Sequence, residues 1–422
     1  MGYGGEQLRS GGRGPKGRPA SRAVAWVAVA ISCLLVAGVL TGYAAYRAVF
    51  GKIHQVRVTD LGKRPPKFNN SLNILVIGSD TRQGKNARFG AHIGGQRSDT
   101  VLVLHLSPGL RRAIVLSLPR DSVVPVLTCP AGDGSPGQVS QPGQIEQINA
   151  TFAMGGPACL WKTIEQTTHI RLDHFMELNF TGFEHVVNDL GGVSICLPFA
   201  IHDPRSRLRL SSGQHHVWGA TALAYWRVRY IGVGSDLERI QRDQFLMASV
   251  AQEVKHTGLF GSPARVYKIV SDIAASLTTD SGLTQTTMIA LARGLQSMRL
   301  SEVHFIQVPV VPYPKNPNWV QWAPDASKLF GAISHDRKLP RQHRPAHKEA
   351  TEGHPDGGRA ATPAASSGSA STSPSGPQPA ARRAPRKGNP GLSHLGSRYG
   401  GITARANVCR DSSAFAGPLG GH

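Results

Sequence analysis

The sequence predicts an α/β fold: an α-β-α sandwich with a central mixed β-sheet flanked by helices, one transmembrane helix before it and a disordered tail behind. Three observations predict this. Short apolar runs closed by turn residues recur at NILVIGSD (73–80), TVLVLHLSP (100–108) and RRAIVLSLPRD (111–121). Two of them are nearly continuous in apolar side chains, as strands buried on both faces are. Stretches of helical spacing come next and then alternate with further strands, an order that suits helices packed on a sheet. At the two ends, residues 23–46 carry no charged side chain, and Pro, Ala, Ser, Gly and Arg dominate from about residue 336.

The run AVAWVAVAISCLLVAGVLTGYAAY (23–46) is long enough as a helix to cross a hydrocarbon core of about 30 Å. Arg9, Arg13, Lys16, Arg18 and Arg22 precede it. By the positive-inside rule this basic flank keeps residues 1–22 in the cytoplasm and sends the remainder of the chain outside, a single-pass plasma-membrane topology. The run exceeds a usual signal-peptide core and no small-x-small site ends it, so an uncleaved signal anchor is expected. Residues 47–70, with the basic GKRPPKFNN, read as a juxtamembrane linker that spaces the domain from the membrane.

The domain expected at 71–335 continues with helices in ACLWKTIEQTTH (158–169) and FTGFEHVVNDLGG (180–192), where Gly191 and Gly192 suit a helix C-cap. VSICLPFAI (193–201) reads as a strand, 218–226 and 236–256 as helices, 262–298 as further helices, and VHFIQVPVV (303–311) as a late strand. Residues 336–422 form a basic tail too poor in apolar side chains to order itself, with a short ordered end at 397–412.

The chain has 422 residues, 40% of them hydrophobic, enough for one large domain or two ordinary ones. Its net charge of +21 points to an anionic partner: nucleic acid, a membrane surface or a phosphorylated substrate. A domain exported by the span does not meet the chromosome, so no nucleic acid is expected. Export also permits disulfides. Cys129 and Cys159 bracket a Gly/Pro/Gln loop and are the expected bridge, other pairings being left open, and Cys409 is a candidate tether for the tail. No CxxC pair or Cys/His spacing suggests zinc.

Charged residues gather at the strand ends. Asp80 closes the first strand, Arg120 and Asp121 close the third, and Arg97 and Asp99 sit immediately before the second. If the second strand is antiparallel to its neighbours, all of these meet at one edge, where ligands of open α/β sheets collect. Arg227 and Arg229 share a side of an extended segment, and Asp236, Arg239 and Asp243 share a helix face. Arginine forks bind phosphate oxygens, and Mg2+ needs only one or two carboxylates besides the phosphates, a role Asp80 and Asp99 would fill. Taken singly these are ordinary residues: helix-face Arg and Asp are commonly solvated ion pairs, and His215 and His216 read as a solvent-facing pair. Their joint occurrence is the signal.

These motifs resemble the LytR-CpsA-Psr family of cell-wall glycopolymer ligases. The resemblance rests on NILVIGSDTR (73–82), RSDTVLVLHLSP (97–108), VLSLPRDSVVPV (115–126), INATFAMGGP (148–157), GFEHVVNDLGGVSICLP (182–198), SGQHHVWGATALAYWRVR (212–229) and DLERIQRDQ (236–244), which fill most of 72–254. It implies a membrane-anchored phosphotransferase that takes a polyprenyl-pyrophosphate-linked glycopolymer, teichoic-acid-like or another anionic wall polymer, and joins it as a phosphodiester to a muramic acid hydroxyl of peptidoglycan. Asp80 and Asp99 match the aspartates associated with Mg2+, with Mn2+ the alternative. Arg97, Arg120, Arg227 and Arg229 match phosphate-binding arginines, and Arg239 and Arg242 match the two arginines of the last motif and complete the pyrophosphate site. Asp236 matches an acidic residue that assists the acceptor or orients an arginine, so Arg120, Arg227, Arg229 and Asp236 are the expected catalytic set. Two departures stand out: Asp243 precedes Gln244 where Gln usually follows the arginine directly, and Trp226 replaces a more usual Val. The polyprenyl tail needs an apolar slot, for which Phe175, Phe180, Phe183 and Phe199 are the candidates. A polyprenyl-pyrophosphate phosphatase, a membrane-bound transcriptional attenuator and a non-catalytic wall-binding protein are the competing readings.

Overall fold

The computed structural model describes residues 19–59, 61–79, 98–126, 128–129, 144–228, 236–258, 262–339 and 401–406, without the side chains of 19–22, 236–238, 263, 264 and 317. The chain starts with helix α1 (Pro19–Phe50), whose segment Ala23–Phe50 is long and apolar enough to cross a membrane. Strand β1 (His54–Val56) comes after three residues, and β2 (Leu72–Ser79), β3 (Ser98–Leu106) and β4 (Ala113–Leu118) are the three apolar runs. A small ribbon of β5 (Val123–Pro125) and β6 (Ile145–Gln147) leads into α2 (Ile148–Thr168).

Helix α2 starts ten residues before the stretch expected from sequence. It breaks at Gly155 and at Gly156, whose φ of 62° is left-handed, ahead of Pro157. Strand β7 (His174–Asn179) and helix α3 (Phe180–Asp189) come next, then β8 (Val193–Leu197), β9 (Ile201–Asp203), β10 (Leu208–Leu210) and β11 (Gly213–Val217), with β9 pairing β10 inside an outer β8–β11 pair. Helices α4 (Gly219–Arg227), α5 (Asp236–His256) and α6 (Pro263–Ala274) precede β12 (Leu277–Asp280). The remainder is α7 (Gln285–Ser297), β13 (Val303–Gln307), the hairpin β14 (Val310–Tyr313) and β15 (Asn316–Trp322), α8 (Ala326–Ser334) and β16 (Ile402–Thr403).

Eight strands make the central mixed sheet, in the order β1-β12-β7-β2-β3-β4-β13-β16. Period-two alternation divides its side chains between two layers. Leu75, Ile77, Val101, Val103, Ile114 and Leu116 pack with α2 and α8 on one face. On the other, Leu104, Leu106 and Ala113 meet α7, while Val115 and Phe305 meet α5. Strands β2, β4, β7 and β13 run one way, and β3 lies antiparallel between β2 and β4. This is the arrangement on which the expected meeting of charged residues depended.

Residues 61–70, within the stretch 47–70 expected as a spacer, are strapped to the domain. Arg64 donates to both carboxylate oxygens of Glu165, at 2.9 and 2.7 Å, and its guanidinium lies 5.3 Å from the Trp161 ring centre. Glu165 is 1% exposed and also accepts from the Leu172 amide at 2.8 Å. Lys67 pairs with Asp173, and Gln166 donates to the Lys63 carbonyl.

Beyond α8, Asp336 accepts from Ser107 Oγ at 2.6 Å and Arg112 at 2.7 Å, and contacts His105 at 3.1 Å; Leu339 is buried. The packed domain thus runs past residue 335. Strand β16 then closes the sheet edge, with Ile402 opposite Phe305 and Thr403 opposite His304. Gln252 donates to the Ala404 and Ala406 carbonyls, and a Cβ on Gly401 would lie 2.3 Å from the Phe305 oxygen.

Cys129 and Cys159 form the expected disulfide. Cys33 is free on α1, and Cys196 is disulfide-bonded to a partner outside the described residues, where Cys409 also lies.

Two outcomes are expected. Removing Arg64 leaves the Glu165 carboxylate buried without its cation, so Arg64→Ala should cost about 2–4 kcal/mol, read as a shift in the denaturant midpoint of the detergent-solubilised chain. His304, on β13, has its proton affinity lowered chiefly by burial, which outweighs the opposing pull of Glu302 and is aided least by Arg112. The unfolded imidazole titrates near 6.5, so the unfolded chain binds more protons just below that pH and stability falls as pH drops through it. The midpoint should be lower at pH 5.5 than at pH 7.5, and the drop should shrink in His304→Gln.

Candidate active site

The strand register builds one edge. Ser79, the last residue of β2, faces both Ser98, the first of β3, and Asn179, the last of β7, while Val101 faces Leu118, the last of β4. Asp99 therefore rises beside the segment that leaves β4, where Arg120 lies. The Arg120 guanidinium donates to Asp99 Oδ1 at 2.8 Å and stands 3.5 Å from Asp121. Both side chains of the closer pair keep about a fifth of their surface open, 20% for Arg120 and 17% for Asp99.

Helix α5 delivers two more guanidinium groups to this edge. Arg239 is 8% exposed, and its Nη2 contact to the Asp99 carbonyl is long at 3.5 Å. Its Nε and Nη1 are buried without a hydrogen-bond partner among the described residues. Arg242 is 6% exposed, donates to the Val228 carbonyl and sits 5.8 Å from the Tyr225 ring centre. Burial pushes the Tyr225 phenol well above its ordinary value, so it stays neutral beneath the cation.

Arg227 ends α4 with its guanidinium 5.2 Å from the ring centre of Phe180, which directly follows β7. Trp226 packs at 4.6 Å from Phe183 and presses on the end of β2: a Cβ at Gly78 would meet Thr100 at 3.1 Å and the Trp226 ring at 3.5 Å. Glycine at 78 lets α4 close over the strand ends and carry Arg227 to the edge.

The structure thus brings together Asp99, Arg120 and Arg239, with Arg242 and Arg227 on adjoining elements. Asp80, Arg97 and Arg229 lie outside the described residues, and Asp236 is described only as the first residue of α5. Asp243 is half-buried one residue past Arg242, and Gln244 is buried and reaches Ser117 Oγ at 3.5 Å, with its Oε1 unpartnered among the described residues. Gln244, Ser117 and the buried Ser98 hydroxyl at this edge were missed as site residues. The signal for them was polar side chains where apolar strands and a helix close.

The four phenylalanines do not form a common slot. Phe175 is core beneath Trp161, Phe180 and Phe183 enclose Trp226, and Phe199 is 39% exposed. A cavity of about 40 Å³, room for little more than water, lies instead beside Tyr225, Cys196, Phe245, Gln252 and Ala406.

Among the described residues no group of three His, Cys, Asp or Glu is placed to hold a metal. A hard cation such as Mg2+ that takes most of its ligands from phosphates and water needs no such group. Asp99, partly open at the arginine edge, fits that mode as a single protein carboxylate.

Residues 43–332 match the model of the LytR_cpsA_psr family. Among curated proteins the chain is 32% identical over 216 residues to the probable cell wall biosynthesis protein LcpB of Corynebacterium glutamicum, covering 50% of this chain and 48% of LcpB. It is 27% identical over 325 residues to the cell wall biosynthesis protein LcpA of the same organism, covering 70% of this chain and 60% of LcpA. The chain thus spans about half to three fifths of the length of these two relatives. It is 23% identical over 312 residues to the polyisoprenyl-teichoic acid–peptidoglycan teichoic acid transferase TagU of Bacillus cereus, covering 72% of this chain and 93% of TagU. Among solved structures, the LytR-Csp2A-Psr enzyme from Actinomyces oris shares the fold with a TM-score of 0.51 at 19% identity, covering 67% of this chain and 96% of that one. Protein gbs0355 from Streptococcus agalactiae does so with a TM-score of 0.52 at 21% identity, covering 65% and 91%.

Arg239→Met separates site from scaffold. Replacing a buried, under-paired cation with an apolar side chain of similar reach should leave stability unchanged or raise it by about 1–2 kcal/mol, while pyrophosphate binding by the purified chain drops at least tenfold. Thermal unfolding and calorimetric titration with pyrophosphate check the two halves.

Proposed function

This chain belongs to the LytR_cpsA_psr family, and from that premise we propose that it is a membrane-anchored phosphotransferase of cell-wall assembly. Its substrate is a glycopolymer carried on a polyprenyl pyrophosphate, and its acceptor is a muramic acid hydroxyl of peptidoglycan. The names of relatives as teichoic acid transferases and cell wall biosynthesis proteins support the reaction class. The buried Arg239 guanidinium, with two N–H groups unpartnered among the described residues, is the observation that carries it. Burying a charge without full pairing costs several kcal/mol, and the positive end of α5 adds to that cost four residues into the helix. A diphosphate at the edge removes both penalties.

In the proposed reaction the acceptor hydroxyl oxygen attacks the phosphorus nearest the glycopolymer. A new P–O bond to muramic acid forms, the P–O–P bridge breaks, and polyprenyl monophosphate leaves. Negative charge grows on the leaving phosphate and the transferred group, and pre-placed guanidinium groups stabilise it without reorganising. Arg120 and Arg239 serve the diphosphate in this reading, with Arg242, Arg227 and, by family resemblance, Arg97 and Arg229 beside them. Asp99 orients Arg120 through their hydrogen bond. Asp236, where α5 begins, takes the proton of the acceptor hydroxyl or orients an arginine. Asp99 and Asp80 would hold Mg2+, or Mn2+, which neutralises phosphate charge when bound. Segment Ala23–Phe50 is the membrane anchor, with the domain outside.

The test supplies the full-length chain in bilayer nanodiscs with Mg2+, a polyprenyl-pyrophosphate glycan and a peptidoglycan oligomer. A covalent glycan–peptidoglycan adduct is expected, reduced at least a hundredfold in Arg120→Ala. Free phosphate without adduct would make the protein a hydrolase, and full turnover by Arg120→Ala would remove the edge from the chemistry.

A further inference from the structure

The sheet records which of its edges meets the anchor. Helix α1 ends at Phe50, and a turn held by amide hydrogen bonds from Gly51, Lys52 and Ile53 to the carbonyls of Arg47, Val49 and Phe50 leads straight into β1. This junction is packed, not loose: Val49 is 2% and Ile53 8% exposed, and α6 lies against both α1 and α3. Strand β1 is parallel to β12, with His54 opposite Thr278, and the neighbouring Leu277 is opposite Leu178, one residue before the end of β7. The register runs on to Ser79 at the end of β2 and Ser98 at the start of β3. The chain therefore leaves α1 and enters the sheet at the same edge that holds Asp99, Arg120 and Arg239. It then runs down β1 toward the opposite edge.

We propose that α1 is a rigid mount that turns the Asp99–Arg120–Arg239 edge toward the bilayer it spans, so that this edge is the domain's membrane-facing surface. The proposal rests on α1 being the membrane anchor of the proposed phosphotransferase. Tyr43, Tyr46 and Arg47 mark the level where the helix meets the headgroups, as aromatic and basic side chains do at membrane interfaces, and the Arg47 guanidinium lies 5.9 Å from the Tyr43 ring centre. The three residues from Phe50 to His54 reach at most about 14 Å when extended, and their turn shortens that. Four strand spacings of about 4.8 Å separate β1 from β3 across the sheet, so the arginine edge lies about 20 Å to the side of the anchor at nearly the same height. A flexible leash over residues 47–70 would instead leave the domain about 25–30 Å of reach and no orientation. The strap through Arg64 and Lys67 removes that freedom. A lipid-borne diphosphate, confined to headgroup depth, thus meets guanidinium groups that already point at it.

The experiment uses the full-length Cys33→Ser chain in vesicles whose headgroups carry a fluorescence acceptor. A donor is attached either at Ala275→Cys, exposed just before β12 on the arginine side, or at Arg111→Cys, exposed in the turn between β3 and β4 on the opposite edge. Strand β3 has nine residues, so the two positions differ in height by about 30 Å. Strong transfer from 275 and weak transfer from 111 is expected; equal or reversed transfer overturns the proposal whatever the enzyme does. A second arm inserts six Gly/Ser residues after Gly51. Turnover of a bilayer-embedded donor should fall at least tenfold while turnover of a short-chain prenyl diphosphate donor in solution is unchanged. Undiminished turnover of the embedded donor would also overturn it. Inactivity of the unmodified chain on both donors would sink the phosphotransferase reading alone, leaving the orientation to the fluorescence arm.

Discussion

The antiparallel placement of β3 between β2 and β4 is the constraint on which the rest depends. Because β3 runs against both neighbours, its first residues stand where theirs finish, and Asp99 meets Arg120 across 21 positions of sequence. A parallel β3 would have put Asp99 at the far edge of the sheet. Everything later in the chain is fitted to that edge: Gly78 makes room for Trp226, α4 brings Arg227, and α5 lays Arg239 against the Asp99 carbonyl.

Buried charge is handled in two opposite ways in this molecule. Glu165 is fully provided for, with two bonds from Arg64 and one from the Leu172 amide, so its burial fastens the strap that comes after β1. Arg239 is also buried but under-provided, and nothing in the scaffold's stability asks for it. The first kind of charge is structural and complete in the resting protein. The second stores a free-energy cost that a bound anion would relieve in the proposed function, the usual trade of stability for function at a site.

Much of this was legible because strands of continuous Val, Leu and Ile ending in Ser, Asp or Arg announce both a buried sheet and the edge where it opens. Arg120 was read for the same reason, a charge at the margin of an apolar strand, whereas Arg239 was read from the helix face it shares with Asp236 and Asp243, and Arg242 from the family resemblance alone. The strap was not. Arg64 and Lys67 read as a basic spacer because their partners, Glu165 and Asp173, lie about a hundred residues away, and an acid on a helix does not declare in sequence that it faces inward. Gly155-Gly156-Pro157 reads as a boundary and does break α2 in two; what went unread is the helical piece ahead of it, from Ile148. The short ordered end expected at 397–412 is present at 401–406, but its pairing as strand β16 was hidden, since two residues after a long Pro- and Ser-rich stretch carry no periodicity to detect.

That last strand has a consequence for the order in which the protein is made. Strand β13 ends at Gln307 and its outer partner begins at Ile402, so the sheet's final position stays vacant while nearly a hundred further residues are synthesised. At ordinary translation speeds that interval is on the order of ten seconds. Throughout it β13 presents an open row of amides and carbonyls, which any passing extended segment can occupy. The newborn chain must be shielded along that side until its own end arrives, so the burden of correct assembly falls on whatever escorts it.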